Sequence, residues 1–188
     1  MDNFIGRYYL DDLSVCDENI EFFENSKELQ KQGFFNSENK DVVYKNIKES
    51  IDISENFEFF ESQPSTKKLL DFLWISVQDY AKKYDELWET SFEIFHMMKF
   101  QYYKPPSGGY KVFHCERNSV SQKTCLVWMF YLNTVEDGGG TEFKYLDHIE
   151  KAEKGKLLIW PPDFTHTHRG LVSPSEEKYI FTGWYDFL

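Results

Sequence analysis

At Thr90 the hydrophobic pattern of this chain changes period, and that change constrains the fold more than any other feature of the sequence. Upstream, apolar residues recur at helical spacing. Leu13, Ile20, Phe23 and Leu29 mark a helix over 12–31 that Gly33 stops. Leu69, Leu73, Val77, Tyr80 and Tyr84 mark a second, starting after an N-cap at Ser65 behind Pro64 and ending near Trp88. Downstream the period is two. Residues 92–103 read as one long strand, broken by Pro105-Pro106-Ser107-Gly108-Gly109. Strands follow at 110–116, 124–132, 141–145, 156–160 and 178–187, between turn-rich stretches such as Glu136-Asp137-Gly138-Gly139-Gly140. Helices first and strands second define an α+β class, with the strands closing a small antiparallel sandwich or open barrel. The acidic, poorly periodic stretch 34–62 predicts a loop with short strands. With no repeat and no linker, residues 1–188 read as one domain: 1–90 mainly helical support, 91–188 the β core.

Composition narrows what such a domain does. Aromatic residues make up 19% of the chain (18 Phe, 12 Tyr, 5 Trp), which excludes disorder and predicts a core of large flat side chains. No apolar run approaches the length of a bilayer, and the opening Met1-Asp2-Asn3-Phe4 lacks the basic and apolar regions of a signal peptide. A cytoplasmic protein with no membrane partner is expected. Cys16, Cys115 and Cys125 are odd in number and form no CxxC pair, so reduced, buried thiols are expected rather than a disulfide framework or a zinc ribbon. The net charge of −11 is uneven: residues 1–90 hold 20 acids and 10 bases, residues 91–188 hold 12 and 11. That balance disfavours nucleic acid as a partner. It leaves the second half near neutral, the better place for a small anionic ligand.

The chemistry concentrates around the histidines. His114 and Glu116, two apart on an expected strand, share one face of the sheet. An imidazole and a carboxylate can there reach one ion, and a third ligand comes from Trp160-Pro-Pro-Asp-Phe-Thr-His-Thr-His-Arg-Gly170, at His166 or His168. Two His and one carboxylate leave one side of an octahedron open, the facial arrangement of non-haem Fe(II) oxygenases. Two open positions suit a bidentate 2-oxo acid and one suits O2. Lys178, ten residues after His168, is the fixed cation for the far carboxylate of such a co-substrate. Its neighbours Tyr179, Ile180 and Phe181 favour burial, and a buried lysine needs an anionic partner. Ile180, Thr182 and Trp184 share its parity and are expected on the same interior face. His96 and His148 read as core or surface groups, Gly138-Gly139-Gly140 as a hairpin turn, Pro161-Pro162 as a rigid corner, and Trp74 and Trp88 as helix packing.

From Phe100 to Trp184 these pieces fall in the order of a known pattern: Tyr103, Gly109-Tyr110, His114-Cys115-Glu116, Tyr131-Leu132-Asn133, Gly139-Gly140-Thr141-Glu142-Phe143, His168-Arg169-Gly170 and Lys178. In this the chain resembles the prolyl 4-hydroxylase-like 2-oxoglutarate/Fe(II)-dependent dioxygenases, especially the short bacterial and phage members. The resemblance implies a double-stranded β-helix (jelly-roll, cupin-like) core and Fe(II), 2-oxoglutarate and O2 as cofactors, and leaves room for ascorbate. It implies iron ligands at His114, Glu116 and His168, the last chosen over His166 by the following Arg-Gly and the spacing to Lys178. It implies that Lys178 pairs with the distal carboxylate, helped by Thr141 and Tyr131, that Tyr103 borders the co-substrate, and that Trp184 lies near the substrate. Two departures stand out. Glu116 replaces the family's usual Asp, and the Tyr110-to-His114 gap is one residue longer than in the animal enzymes, which a β-bulge could absorb.

The resemblance points to hydroxylation of a prolyl residue in a peptide or protein, with 105–109 and 34–62 as lids. The alternatives are hydroxylation of a free amino acid or small metabolite, and a non-catalytic metal-binding β-helix module.

Overall fold

In the computed structural model, residues 3–37, 40–42, 44–119 and 121–188 are described. Residues 38, 39 and 43 of the expected 34–62 loop, and Met1 and Asp2 of the N-terminal reading, lie outside them. The chain opens with β1 (Gly6–Tyr9) and helix α1 (Ser14–Asn25). Short strands follow, β2 (Lys31–Gln32), β3 (Phe35–Ser37), β4 (Lys40–Val42) and β5 (Lys48–Glu49), then β6 (Ile51–Asn56). Helices α2 (Phe57–Glu61), α3 (Pro64–Lys83) and α4 (Asp85–Trp88) lead to β7 (Phe92–Ile94), β8 (Met97–Tyr103) and β9 (Gly109–Tyr110). The remainder is β10 (Thr124–Tyr131), β11 (Thr141–Phe143), β12 (His148–Glu150), β13 (Lys156–Trp160), β14 (His168–Gly170) and β15 (Lys178–Phe187).

The main sheet runs β1-β13-β10-β15-β8-β6-β2, with β7 also paired to β15, and every pairing is antiparallel. A smaller sheet, β12-β11-β14, lies on the other side of the jelly-roll interior. Because side chains alternate along a strand, the main sheet feeds two cores. Leu126, Trp128, Phe130, Leu157, Ile159, Phe100 and Phe181 meet Phe23 of α1, Phe60 of α2 and Leu69, Leu73 and Val77 of α3. Val127, Met129, Tyr131, Leu158, Trp160, Tyr103 and Ile180 face inward and meet Phe143 of the smaller sheet. With both faces covered, every residue of β10 is buried, which is why that segment reads as an unbroken apolar run. The aromatic richness has a location too. Phe100 stacks on Phe181 at 4.2 Å, and Phe60 and Trp128 meet Phe181 edge-on at 5.2 and 5.1 Å, contacts worth about 0.5–1.5 kcal/mol each beyond burial.

Several expectations shift. The first helix ends at Asn25, and a 3-10 turn at Lys27–Leu29 completes the segment. The second starts at Pro64, with Gln63 as the cap position and no side-chain cap bond, because proline's fixed φ suits the first helical position. Trp74 and Trp88, expected to pack, are 59% and 51% exposed. The single strand over 92–103 is two, interrupted at Phe95–His96, where Phe95 N donates to Trp184 O at 2.8 Å. Within 34–62 lie β3, β4, β5, β6 and the whole of α2, and β6 joins the main sheet beside β8. Among the described residues no helix is long and apolar enough to cross a membrane.

Candidate metal and co-substrate site

The expected strand 110–116 is only β9 and a single bridge. That bridge fixes the site. His114 N donates to His168 O at 2.9 Å and His168 N to His114 O at 2.8 Å. Exchanging both bonds makes the two residues a directly opposed antiparallel pair, so their imidazoles leave the backbone side by side, with ring centroids 4.4 Å apart. Glu116 N is held by Pro162 O at 3.0 Å, which gives the Pro161-Pro162 corner a role in placing the carboxylate. Tyr110 stacks on the His114 ring at 3.8 Å.

The donor atoms fit a cation. His114 Nδ1 lies 3.1 Å from Val112 O and His168 Nδ1 lies 2.9 Å from His166 O. A carbonyl only accepts, so each Nδ1 carries the proton and each Nε2 presents a lone pair. Those Nε2 atoms stand 3.3 and 3.7 Å from Glu116 Oε1. Ligands roughly 2.1 Å from one ion stand about 3 Å apart in cis positions, and all three donors lie within 4.8 Å of one another. Electrostatics agree. Burial alone would raise the Glu116 carboxyl, but its close neighbours, the His114 and His168 rings and the Trp184 indole N–H, bring it down to about 2, so it stands as a carboxylate. Burial, with the neighbouring His114, lowers His168 to about 4, leaving it a free base near neutrality.

His166 goes elsewhere. It is 4% exposed, its Nε2 lies 2.9 Å from Asn3 O and its Nδ1 faces Thr165 Oγ1. Between the two candidates, the structure brings His168 and not His166 to His114 and Glu116.

Lys178 opens β15 on the interior face, 4% exposed. Its Nζ donates to Gly139 O at 2.9 Å and sits 4.7 Å above the Tyr103 ring. Among the described residues no carboxylate pairs with it, and burial pushes the ammonium down to about 8. The Gly138–Gly140 turn supplies that carbonyl, and both Gly138 (φ 83°) and Gly139 (φ 69°) occupy the left-handed region that favours glycine. The hydroxyls of Tyr131 and Thr141 share a 2.6 Å hydrogen bond in the same interior. Trp184 is half-buried, and its indole Nε1 donates to Glu116 Oε2 at 3.0 Å.

Sequence reasoning missed a buried polar relay behind Tyr103. Tyr103 OH donates to Gln101 Oε1 at 2.8 Å and Gln101 Nε2 to Asp52 Oδ2 at 3.2 Å. Lys48 Nζ meets the same Asp52 oxygen at 2.6 Å. Tyr103 and Gln101 alternate inward on β8, but Asp52 and Lys48 come from a segment whose sequence gave no sign of joining the sheet. A cleft of about 420 Å³ lined by Tyr102, Tyr179, Glu24 and Glu177 opens on the helix side of the main sheet and shares no residue with this site. The cysteines are all free. Cys16 and Cys125 are buried, whereas Cys115, between two site residues, is half-exposed.

Residues 98–186 match the model of the 2OG-Fe(II) oxygenase superfamily. Over this segment, a little under half of its length, the chain is similar to the 2-oxoglutarate- and iron(II)-dependent dioxygenases, a class that uses Fe(II), 2-oxoglutarate and O2. Within that class the fold is that of prolyl 4-hydroxylase-like enzymes. It is similar to a prolyl hydroxylase from Trichoplax adhaerens in complex with a hypoxia inducible factor peptide fragment (TM-score 0.77, 14% identity, 98% of this chain and 84% of that one). It is also similar to a prolyl-4-hydroxylase from Pseudomonas putida (0.70, 14%, 97% and 92%). A third similar structure is a viral collagen prolyl hydroxylase from Paramecium Bursaria Chlorella virus-1, in its 2OG complex (0.65, 16%, 98% and 97%). No curated protein sequence matches the chain.

Proposed function

We propose that this chain hydroxylates a prolyl residue in a peptide or protein, with His114, Glu116 and His168 holding iron(II) and Lys178 holding the distal carboxylate of 2-oxoglutarate. A three-donor cluster alone would also serve a metal-binding module without catalysis. The observation that separates the two is Lys178, a cation kept inside the same interior with no carboxylate beside it among the described residues. A charge left unpaired in a folded interior is costly, and a dicarboxylate co-substrate would neutralise it.

Iron(II) bound there supplies, with O2 and 2-oxoglutarate, the oxidising power that replaces a C–H hydrogen by hydroxyl as 2-oxoglutarate becomes succinate and CO2. The chain's own contribution is placement. The Val112 and His166 carbonyls hold the two imidazoles in the tautomer that presents Nε2. Phe143 and Trp160 pack around His168, with rings 5.6 and 5.2 Å from it, and keep that side of the site dry. Tyr103 forms the floor under the Lys178 ammonium, and the Tyr131 and Thr141 hydroxyls share a hydrogen bond within the same inner core.

A peptide substrate is supported by fold similarity to the Trichoplax enzyme, which carries a peptide fragment. We read residues 1–188 as one domain, with 1–90 supporting the core. The test is succinate release and mass shift of the acceptor, comparing Pro-containing peptides with free proline and other amino acids. Oxygen-dependent turnover with a +16 Da prolyl peptide is expected. Turnover stimulated only by free amino acids would replace the peptide assignment with a small-molecule one.

A further inference from the structure

We infer that Trp184 is a positioning residue for Glu116, and that glutamate rather than aspartate at this position is matched to the indole. The inference rests on the reading of Glu116 as a metal ligand. The two carboxylate oxygens of Glu116 have different surroundings. Oε1 faces the imidazoles, 3.3 Å from His114 Nε2 and 3.7 Å from His168 Nε2. Oε2 accepts the Trp184 indole N–H at 3.0 Å. An indole nitrogen donates one hydrogen bond and never accepts, so this contact fixes which oxygen is turned away from the imidazoles. A glutamate free to rotate about its last torsion would present either oxygen, or both together.

Both ends of the contact are anchored. Glu116 N is tied to Pro162 O at 3.0 Å, which fixes the backbone from which the longer side chain reaches toward the imidazoles. Trp184 lies within β15 opposite Val127 of β10, its carbonyl accepts from Phe95 N at 2.8 Å, and its ring meets Phe95 edge-on at 6.3 Å. An aspartate on the same backbone is one methylene shorter. It cannot face the imidazoles with one oxygen and reach the indole with the other. The extra methylene, which alone would loosen the ligand, becomes the means of fastening it to β15.

Cobalt(II) titration of metal-free protein tests this, because the visible spectrum of the bound ion reports affinity and ligand geometry without 2-oxoglutarate, O2 or turnover. Four proteins form the cycle: the natural sequence, Trp184→Phe, Glu116→Asp and the double variant, with His168→Ala as control. Outer hydrogen-bond partners of metal ligands typically set affinity by about 10–100-fold. Trp184→Phe should weaken cobalt binding by about that factor and alter the spectrum. In the Glu116→Asp background the same change should have less than about a twofold effect. Equal losses in both backgrounds, or none in either, would overturn the inference while leaving the metal site intact. Cobalt affinity untouched by His168→Ala would overturn the site itself and the inference with it. Should Trp184→Phe fold poorly, the natural tryptophan serves instead. Its indole proton should be slow to exchange in the natural sequence and fast in Glu116→Asp, and equal exchange in the two would contradict the contact.

Discussion

Lys178 is expensive where it stands. Burial brings its ammonium from the ordinary 10.5 to about 8, which corresponds to roughly 3 kcal/mol of destabilisation of the charged form. Below pH 8 folded and unfolded chains both carry the proton, and the folded state bears the whole penalty. Between pH 8 and 10.5 the folded state has released its proton while the unfolded state keeps it, so stability from this group rises with pH; above 10.5 the penalty is gone. Lys178→Met should therefore stabilise the metal-free protein at pH 7, by up to about 3 kcal/mol in denaturant titration, with the gain shrinking above pH 8. The same variant should lose 2-oxoglutarate binding. A variant no more stable than the natural protein would mean that the lysine already has an anionic partner. At this scale the site was largely legible. Histidine is scarce in this chain, with five in all, so the placing of His114 and His168 carries information, and the common residue types Glu116 and Lys178 stand out only by their spacing from them. The Lys48–Asp52–Gln101–Tyr103 relay was not, because each member is an ordinary polar residue until the fold brings it next to the others.

Strands β10, β13 and β15 could be read from sequence nearly residue for residue, because most of each strand is buried on both faces and apolar residues dominate it. The weaker elements share a physical reason. β6 reads Ile-Asp-Ile-Ser-Glu-Asn, with Asp52 turned inward to meet Lys48, so its alternation does not separate core from surface. β14 and the His114 bridge are too short for any period to show. In β15, Gly183 passes beneath Trp128 so closely that an added Cβ would lie 2.4 Å from the indole ring. Gly183→Ala should cost about 1–3 kcal/mol through overpacking, measured as a lowered denaturation midpoint with an unchanged denaturant slope. No loss of stability would mean that Trp128 moves freely at the centre of the outer core. Phe181→Ala, which empties the middle of the Phe60–Phe100–Trp128 cluster, should cost about 3–5 kcal/mol.

For the molecule as a whole, the change of period at Thr90 located most of the jelly roll but not all of it. β1 comes from the first half and forms one edge of the main sheet beside β13, while β6 and then β2, from the same half, complete the other side beside β8. Closing a sheet with strands from distant sequence needs pairings that no local pattern records, whereas the helices that cover it announce themselves by their stripes. The consequence for function is that the relay behind Tyr103 reaches into the first half, so both halves contribute to one interior.

The central claim is that this interior holds iron(II) and 2-oxoglutarate together, and anaerobic titration of both into metal-free protein tests it most directly. The visible charge-transfer band of an iron(II)–2-oxo acid complex should appear, survive His166→Ala and vanish in His168→Ala. Absence of the band in folded protein that still binds metal, or a band lost with His166 and kept without His168, would contradict it.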